Sequence, residues 1–338
     1  MSATSPVNTL DAQVRPDAIN GSYNRVVSGD FNNEEIDDGF YWNPLTGANR
    51  FIDVGFTSND IVTNPVSPGA INGNDFTEVI VGNFMESFNA ETTGEELFFW
   101  NPVTGRNRIV SVDSGQIFTN VIDPRSINGN DFTVAQAGRF IDNDGLSELF
   151  FWNPATGRNR MIQLEAILIS DQPRFLREQT NGIDPKAING NDFTEIVVGE
   201  LDGFSFDEMF FWNPVSGKNR VIVLATGDAN SPVNVIAEET DAVDPAAING
   251  AVFTNLVIGD CDIDGNDDLF FWQDRSGTNR VVFNEDPLDL EFRIETNCVN
   301  PISVNGDFET MVTIRFDSSS DAVFFWDIQG GKNRTALF

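Results

Sequence analysis

The chain has 338 residues, 52 acidic and 20 basic, for a net charge of −32 and a pI near 4.1. A field of that sign repels nucleic acid and anionic membrane surfaces, excludes both as expected partners, and attracts cations. Histidine is absent, which removes the commonest general base, the Ser-His-Asp and Cys-His arrangements and His-based zinc sites; two cysteines cannot build a four-thiolate site.

The sequence opens without the basic and apolar stretches of a cleaved leader, and no apolar run approaches the ~18 residues a membrane span needs. A chain kept inside the cell, one exported without a cleaved leader and one whose leader has been removed all remain open. Residues 6–14 stand where a fourth strand belongs, directly before the first of six copies of Pro-x-x-[Ile/Val]-Asn-Gly, at residues 16–21, 68–73, 124–129, 185–190, 245–250 and 301–306. Proline fixes φ, and Asn-Gly is expected to supply positive φ, so each copy reads as a shaped connection.

An aromatic follows each connection (Tyr23, Phe76, Phe132, Phe193, Phe253, Phe308), then a β-branched run such as residues 78–81 or 195–198. That run reads as a first, buried strand. After a loop rich in Asp comes Phe-Phe-Trp or a close variant, ending at Trp42, Trp100, Trp152, Trp212, Trp272 and Trp326, which are all the tryptophans of the chain. Six further intervals are fixed: eight residues separate each Trp from an arginine (Arg50, Arg108, Arg160, Arg220, Arg280, Arg334) across a Gly-containing turn. A constant interval is what a tight hairpin demands, because register sets the loop length. A third strand begins at each arginine and a more variable fourth follows.

Four antiparallel strands per copy make the blade of a propeller. The expected fold is an all-β six-bladed β-propeller with repeats at about 16–67, 68–123, 124–184, 185–244, 245–300, and 301–338 joined to 1–15. The last copy has no room for a fourth strand, so the N-terminal segment is expected to complete it. Alternation places the first Phe and the Trp of each Phe-Phe-Trp on one face and the middle Phe on the other, facing neighbouring blades, which favours core packing over sugar stacking. The repeated arginines are expected to act as an ion pair or carbonyl clamp within each blade.

The Asp loops carry the candidate chemistry. Copy five offers Asp260, Asp262, Asp264, Asn266 and Asp268 around Gly265, oxygen ligands at the spacing of a Ca²⁺ loop, and an all-oxygen set suits a hard cation. Copy one offers Asp30, Asn32, Glu34, the Ile36 carbonyl and Asp38, with Glu35 where the sharp turn wants glycine, so strain is expected there. Copy three keeps Asp142, Asp144, Gly145 and Glu148 but lacks the first ligand. Copy four has Glu200, Asp202 and Glu208 with Phe204 in the third ligand place, and is expected to be metal-free. Copy two carries an insertion and copy six has Ala322 in the last ligand place. One to three structural Ca²⁺ ions are therefore expected. Cys261 and Cys298 could pair or both be free.

Glycine followed by Asp-x-Asp-x-Asp-Gly-x-x-Asp and Leu-Phe-Phe-Trp resembles the FG-GAP/VCBS repeats of integrin-α-type propellers, and Trp-x-x-x-[Ser/Thr]-Gly-x-Asn is similar to bacterial, notably cyanobacterial, repeats of that type. The resemblance spans essentially the whole chain. It implies a propeller with loop-bound Ca²⁺ serving adhesion, carbohydrate binding or scaffolding, and an extracellular or cell-surface location. The expected function is a non-enzymatic binding or assembly scaffold for a protein or surface partner, the alternative a lectin-like glycan reader. A carboxylate-based enzyme acting on polysaccharides ranks third, having no singled-out acid pair outside the Asp loops. The long excursions at residues 170–181 and 226–241, on the Asp-loop face, are the expected partner contacts.

Overall fold

The computed structural model describes residues 7–53, 60–73, 75–85, 94–129, 131–141, 145–167, 172–204, 206–225, 232–250, 252–286, 291–317 and 320–338. The strands of these residues pair into six four-stranded antiparallel sheets, each running in sequence order outward from its first strand except the one that contains both ends of the chain. The first strands, Arg25–Gly29, Glu78–Gly82, Val134–Gly138, Glu195–Gly199, Asn255–Gly259 and Thr310–Asp317, touch one another in a closed cycle. They surround an axial channel walled by small and branched side chains, among them Val27, Val81, Ala135, Ala137, Val197 and Val257. This is the expected six-bladed propeller, and its closure is as expected. Asn8–Asp11 pairs antiparallel with Asn333–Leu337, Asn8 opposite Leu337 and Asp11 opposite Arg334, and so becomes the outer strand of blade six.

Alternation along the Phe-Phe-Trp strands explains how the blades adhere. Each Trp packs edge-on against the middle aromatic of the next blade: Trp42 on Phe99, Trp100 on Phe151, Trp152 on Phe211 and Trp212 on Phe271, all with centroids 5.1 Å apart. Trp272 on Phe325 and Trp326 on Tyr41, both at 5.2 Å, close the cycle. Such pairs add about 0.5–1.5 kcal/mol each beyond area burial. All six indoles are fully buried. Five donate Nε1–H at 3.0 Å to a carbonyl of the following connection (Ile71, Ile127, Ile188, Ile248, Val304). Trp326 Nε1 has no acceptor among the described residues.

The Asn-Arg pair that starts each third strand fastens the blade internally. The Asn side chain is buried and holds the chain where it leaves the fourth strand. Asn107, for example, donates to Gly105 O at 3.0 Å and Ile122 O at 2.8 Å and accepts from Ile122 N at 3.1 Å. The arginine clamps the connection, as expected: Arg160 donates to Ser126 O at 2.8 Å, and Arg50, Arg108, Arg280 and Arg334 donate to Ala18, Ala70, Ala247 and Ser303 carbonyls. Arg50, Arg108, Arg160, Arg220 and Arg280 also lie 5.1–5.6 Å over the aromatic that follows the connection.

One local expectation is corrected. In the connections positive φ occurs at Gly21 and Gly306 alone among the six Asn-Gly glycines. In the middle four copies the glycine is required by proximity instead, since a Cβ at Gly73 would sit 2.4 Å from the Pro44 carbonyl oxygen and one at Gly250 1.9 Å from that of Pro214.

Candidate cation-binding loops and the axial mouth

Each first strand ends at one face of the ring, and the Asp loop turns back from there into the Phe-Phe-Trp strand. In blade five, Asp260, Asp262 and Asp268 each bring a carboxylate oxygen within 4.8 Å of the other two. Asp260 shapes the turn by accepting from Ile263 N at 2.7 Å and Gly265 N at 3.0 Å, and Gly265 takes φ +91°. Asp268 is buried, with Oδ2 accepting from Cys261 N and Oδ1 from Asn284 N, both at 2.9 Å. Burial, then the Asp262 and Asp264 charges, push its carboxyl up to about 8. The Asp264 carboxylate lies outside that cluster, and its Oδ1 accepts from Asn266 N at 2.9 Å and Nδ2 at 3.0 Å. Three converging carboxylates with no nitrogen or sulfur fit a hard divalent cation such as Ca²⁺, which would offset the mutual repulsion that raises these groups.

In blade one, Asp30 caps Glu34 N at 2.9 Å and Glu35 N at 3.0 Å, and Asn32 Oδ1 accepts from Glu34 N at 3.1 Å. Glu35 adopts φ +66°, so the strain expected from the missing glycine is present. Asp38 is buried with Oδ2 unpartnered, and burial first, then Asp53 and Asp30, push it up to about 8. Asp30, Glu34 and Asp38 do not converge as tightly as the blade-five set, and Ile36 is half-buried beside them. In blade three, Asp142 and Asp144 lie outside the described residues; Glu148 is buried and accepts from Phe140 N at 2.8 Å. Parts of the two long excursions, 168–171 and 226–231, also lie outside them.

Blade four, read from sequence as metal-free, brings Glu200, Asp202 and Glu208 together with one oxygen each within 4.8 Å. The buried Glu208 accepts from Leu201 N at 2.7 Å and Asp202 N at 3.0 Å through Oε2. Burial, then the Asp202 and Glu200 charges, push it up to about 9.

A second acidic feature escaped the sequence reading. The residue just before the last loop ligand (Asp37, Glu95, Ser147, Asp207, Asp267, Asp321) binds the neighbouring blade. Each side chain accepts from the backbone N–H that follows the neighbour's first strand or, in blade six, lies within it: Arg315, Asp30, Asn83, Arg139, Glu200 and Asp260 in turn, at 2.7–3.1 Å. Each returns its own N–H to the same residue's carbonyl at 2.7–3.2 Å. Six reciprocal pairs close a ring around the axis. The glycine ending the neighbour's strand leaves room for the carboxylate: a Cβ on Gly199 would come 2.3 Å from Asp267 Oδ2. Inside this ring opens a cavity of about 820 Å³ whose lining carries Glu95, Glu200, Asp207, Asp260, Asp264, Asp267 and Asp321 against Arg139 and Arg315. Burial pushes Asp37 and Asp267 up to about 7, with like charges adding to it.

Cys261 and Cys298 are free thiols, which settles the alternative left open by sequence. Among the described residues no helix is long and apolar enough to cross a membrane.

Fold and loops together define a six-bladed propeller with one acid-rich face. No family model matches the sequence, and no curated protein matches it. Among solved structures it is similar to a lectin of Agrocybe aegerita described as recognising non-reducing terminal N-acetylglucosamine, with TM-score 0.55 and 9% identity over 92% of this chain and 78% of the lectin. It is similar to a luciferin-regenerating enzyme, with TM-score 0.53 and 8% identity over 99% and 96% of the two chains. A third likeness, to the Photorhabdus luminescens Tc holotoxin pore (TM-score 0.51, 12% identity), covers 98% of this chain and 14% of that one. At these identities the likeness is one of fold.

Proposed function

We propose that this protein is a non-enzymatic, calcium-stabilised propeller of FG-GAP/VCBS type that works outside the cell as a scaffold binding a protein or surface component on its acidic loop face. The carrying observation is the concentration of converging carboxylates on that one face, where the Asp260–Asp262–Asp268 loop adjoins the acid-lined axial mouth. The tryptophans, arginines and clamp asparagines are consumed by blade-to-blade and intra-blade contacts, so the repeated residues build the ring and leave recognition to the loops. Blade five supplies the calcium ligands: Asp260 orders the turn, Asp262 contributes an exposed carboxylate, and Asp268 closes the site from the buried strand end. A bound cation would supply charge neutralisation and fix the loop geometry.

The test is calorimetric titration of CaCl₂ into chelator-treated protein. The parent should take up Ca²⁺ and gain thermal stability with it, and Asp262→Asn should bind one ion fewer. No uptake at millimolar Ca²⁺ would sink the calcium reading.

A second reading, glycan binding, draws support from the lectin likeness and from Phe204, which stands 56% exposed on the blade-four loop as an available stacking face. A multivalent glycan array separates the two. Binding lost in Phe204→Ala would establish the lectin; silence against all glycans leaves the scaffold.

A further inference from the structure

We propose that the face opposite the acidic loops is the contact surface of a homodimer. Two copies meet there face to face about a two-fold axis that lays blade one over blade four, blade two over blade three and blade five over blade six.

The antiparallel order of each blade puts the hairpin after Phe-Phe-Trp, and the connection to the next blade, at the end of the ring away from the Asp loops. The four most exposed large hydrophobic side chains among the described residues all stand there: Leu45 at 81%, Val103 at 79%, Val215 at 84% and Ile302 at 80%. The first three occupy one place, the hairpin tip, where blade three has the exposed Ala155 and blades five and six have Arg275 and Gln329. The tips are held rigidly. In blade two Asn101 Oδ1 accepts from Val103 N and Thr104 N, both at 3.0 Å, and a Cβ on Gly105 would fall 1.8 Å from the Pro124 carbonyl oxygen of the adjoining connection. Aliphatic groups fixed in this way lose little freedom when covered. Their gathering on one face sets them apart from the singly scattered apolar residues of an ordinary surface.

Charge selects a second copy as the occupant. The loop end carries the acidic clusters and repels another chain of net charge −32. At the hairpin end, the six clamp arginines together with Arg106, Arg158, Lys218 and Lys332 account for half of the chain's 20 basic side chains. Each of those last four pairs with the acid that precedes its blade's core aromatic: Asp75, Asp131, Asp192 (at 2.7 Å) and Asp307. In blades one and five both members of the pair are replaced together, by Ser22 with Ala48 and by Val252 with Thr278. Charge at this place is therefore balanced in every blade, and two copies can approach through it without the repulsion of the loop end. A balanced surface also has no electrostatic pull on an anionic bilayer.

Symmetry then fixes the setting, as it does in most two-fold dimers, where one patch must complement itself. When one six-bladed ring is turned over onto another, the blades run in opposite order. Only one two-fold setting then places apolar tips on apolar tips throughout. It sets Leu45 against Val215 and Val103 against Ala155, each twice, and brings the Arg275 tip of blade five to the Gln329 tip of blade six, beside Asp327. The axis enters through the seam between blades five and six. Ile302 stands on that seam, because its connection accepts from Trp272 of blade five at Val304 O (3.0 Å) and from Arg334 of blade six at Ser303 O. Ile302 thus meets its own counterpart, and the setting chosen by the hairpin tips also covers the fourth exposed side chain. The axis leaves through the seam between blades two and three, where Arg125 meets Arg125, a like-charge contact that the arrangement must tolerate.

The experiment is sedimentation velocity on the full chain, with near-ultraviolet circular dichroism confirming the fold of each variant. A monomer–dimer equilibrium is expected at concentrations up to about 0.1 mM, tightening as NaCl rises to about 0.5 M because salt screens the repulsion between two acidic chains. Leu45→Glu and, independently, Val215→Glu should each raise the dimer Kd about tenfold or more. Ile236→Glu, on the outer strand of blade four, should leave it unchanged, and Arg125→Ala should lower it. Under mild oxidation with diamide, Leu45→Cys and Val215→Cys combined in one chain should give a covalent dimer that neither single variant nor the parent gives. A chain that stays monomeric, a dimer untouched by both glutamate variants, a dimer that weakens with salt, or a covalent dimer from Leu45→Cys alone overturns the inference. Growth past the dimer would assign the face to head-to-tail stacking, and a monomer that binds phosphatidylcholine vesicles through the same tips would assign it to a bilayer; either result also overturns it.

Discussion

Glu96 offers the cleanest measure of what a buried carboxyl costs this propeller. It stands at the start of the blade-two Phe-Phe-Trp strand, fully buried, with Oε2 accepting from Phe84 N at 2.8 Å and Met85 N at 3.1 Å and Oε1 unpartnered. Burial, with a smaller push from the Glu95 charge, raises its pKa from 4.5 to about 8 against the pull of those two N–H groups. A group raised in the folded state stabilises the fold fully below its unfolded value and loses that contribution as pH climbs through the folded value. The window is therefore pH 4.5 to about 8. At about 1.36 kcal/mol per pKa unit the full rise corresponds to on the order of 5 kcal/mol, an upper bound, since relaxation and water entry reduce it to about 2–5 kcal/mol. Glu96→Gln removes the titration while keeping the size and the acceptor. Urea unfolding of chelator-treated protein, followed by the fluorescence of the six buried tryptophans, should place the variant within about 1 kcal/mol of the parent at pH 5 and above it by about 2–5 kcal/mol at pH 9. Parallel pH profiles for the two proteins would refute the reasoning.

Three further outcomes follow from the ring contacts. Trp212→Phe should cost about 1–2 kcal/mol more than Trp326→Phe, because only the former surrenders an indole hydrogen bond and orphans a buried carbonyl; equal denaturation midpoints would contradict this. Gly199→Ala should destabilise by about 1–3 kcal/mol by driving a methyl into Asp267 Oδ2 and the Ile258 side chain, whereas Gly69→Ala, with nothing within 4 Å of the new carbon, should stay within about 0.5 kcal/mol. Asn107→Ala should cost about 2–4 kcal/mol in thermal or urea unfolding, since three buried hydrogen bonds go and the Ile122 amide and carbonyl are left dry.

The fold was legible because each of its determinants repeats six times at fixed spacing. Phe-Phe-Trp announces a strand buried on both faces, and eight residues from Trp to Arg can be spanned by one kind of hairpin. The phase of the repeat even disclosed that the segment carrying Asn8–Asp11 belongs with blade six. The axial ring was hidden for a physical reason. Asp207 and Asp267 read as more of an acidic loop, and their partners are backbone N–H groups 68 and 67 residues away, which leave no mark on side-chain pattern. In blade four the reading rested on Phe204 in a ligand place, and the convergence of Glu200, Asp202 and the buried Glu208 was not legible because burial is a tertiary property. The Asn-Gly glycines carry the same message: sequence shows that glycine is needed, and only packing tells whether φ or crowding demands it.

The reciprocal pairs and the tryptophan cycle make every seam of this molecule a variant of one joint, including the joint between its first and last blades. Val7 and Phe338 pack against the same hydrophobic cluster, so the two ends already share a neighbourhood. Topologically the chain is a loop that happens to be cut beside Asn8. A version joined there and reopened at any of the other connections would keep all six joints. The order of the blades along the chain therefore matters less to the ring than the joints do, and the acidic loops are among the features that tell one blade from another.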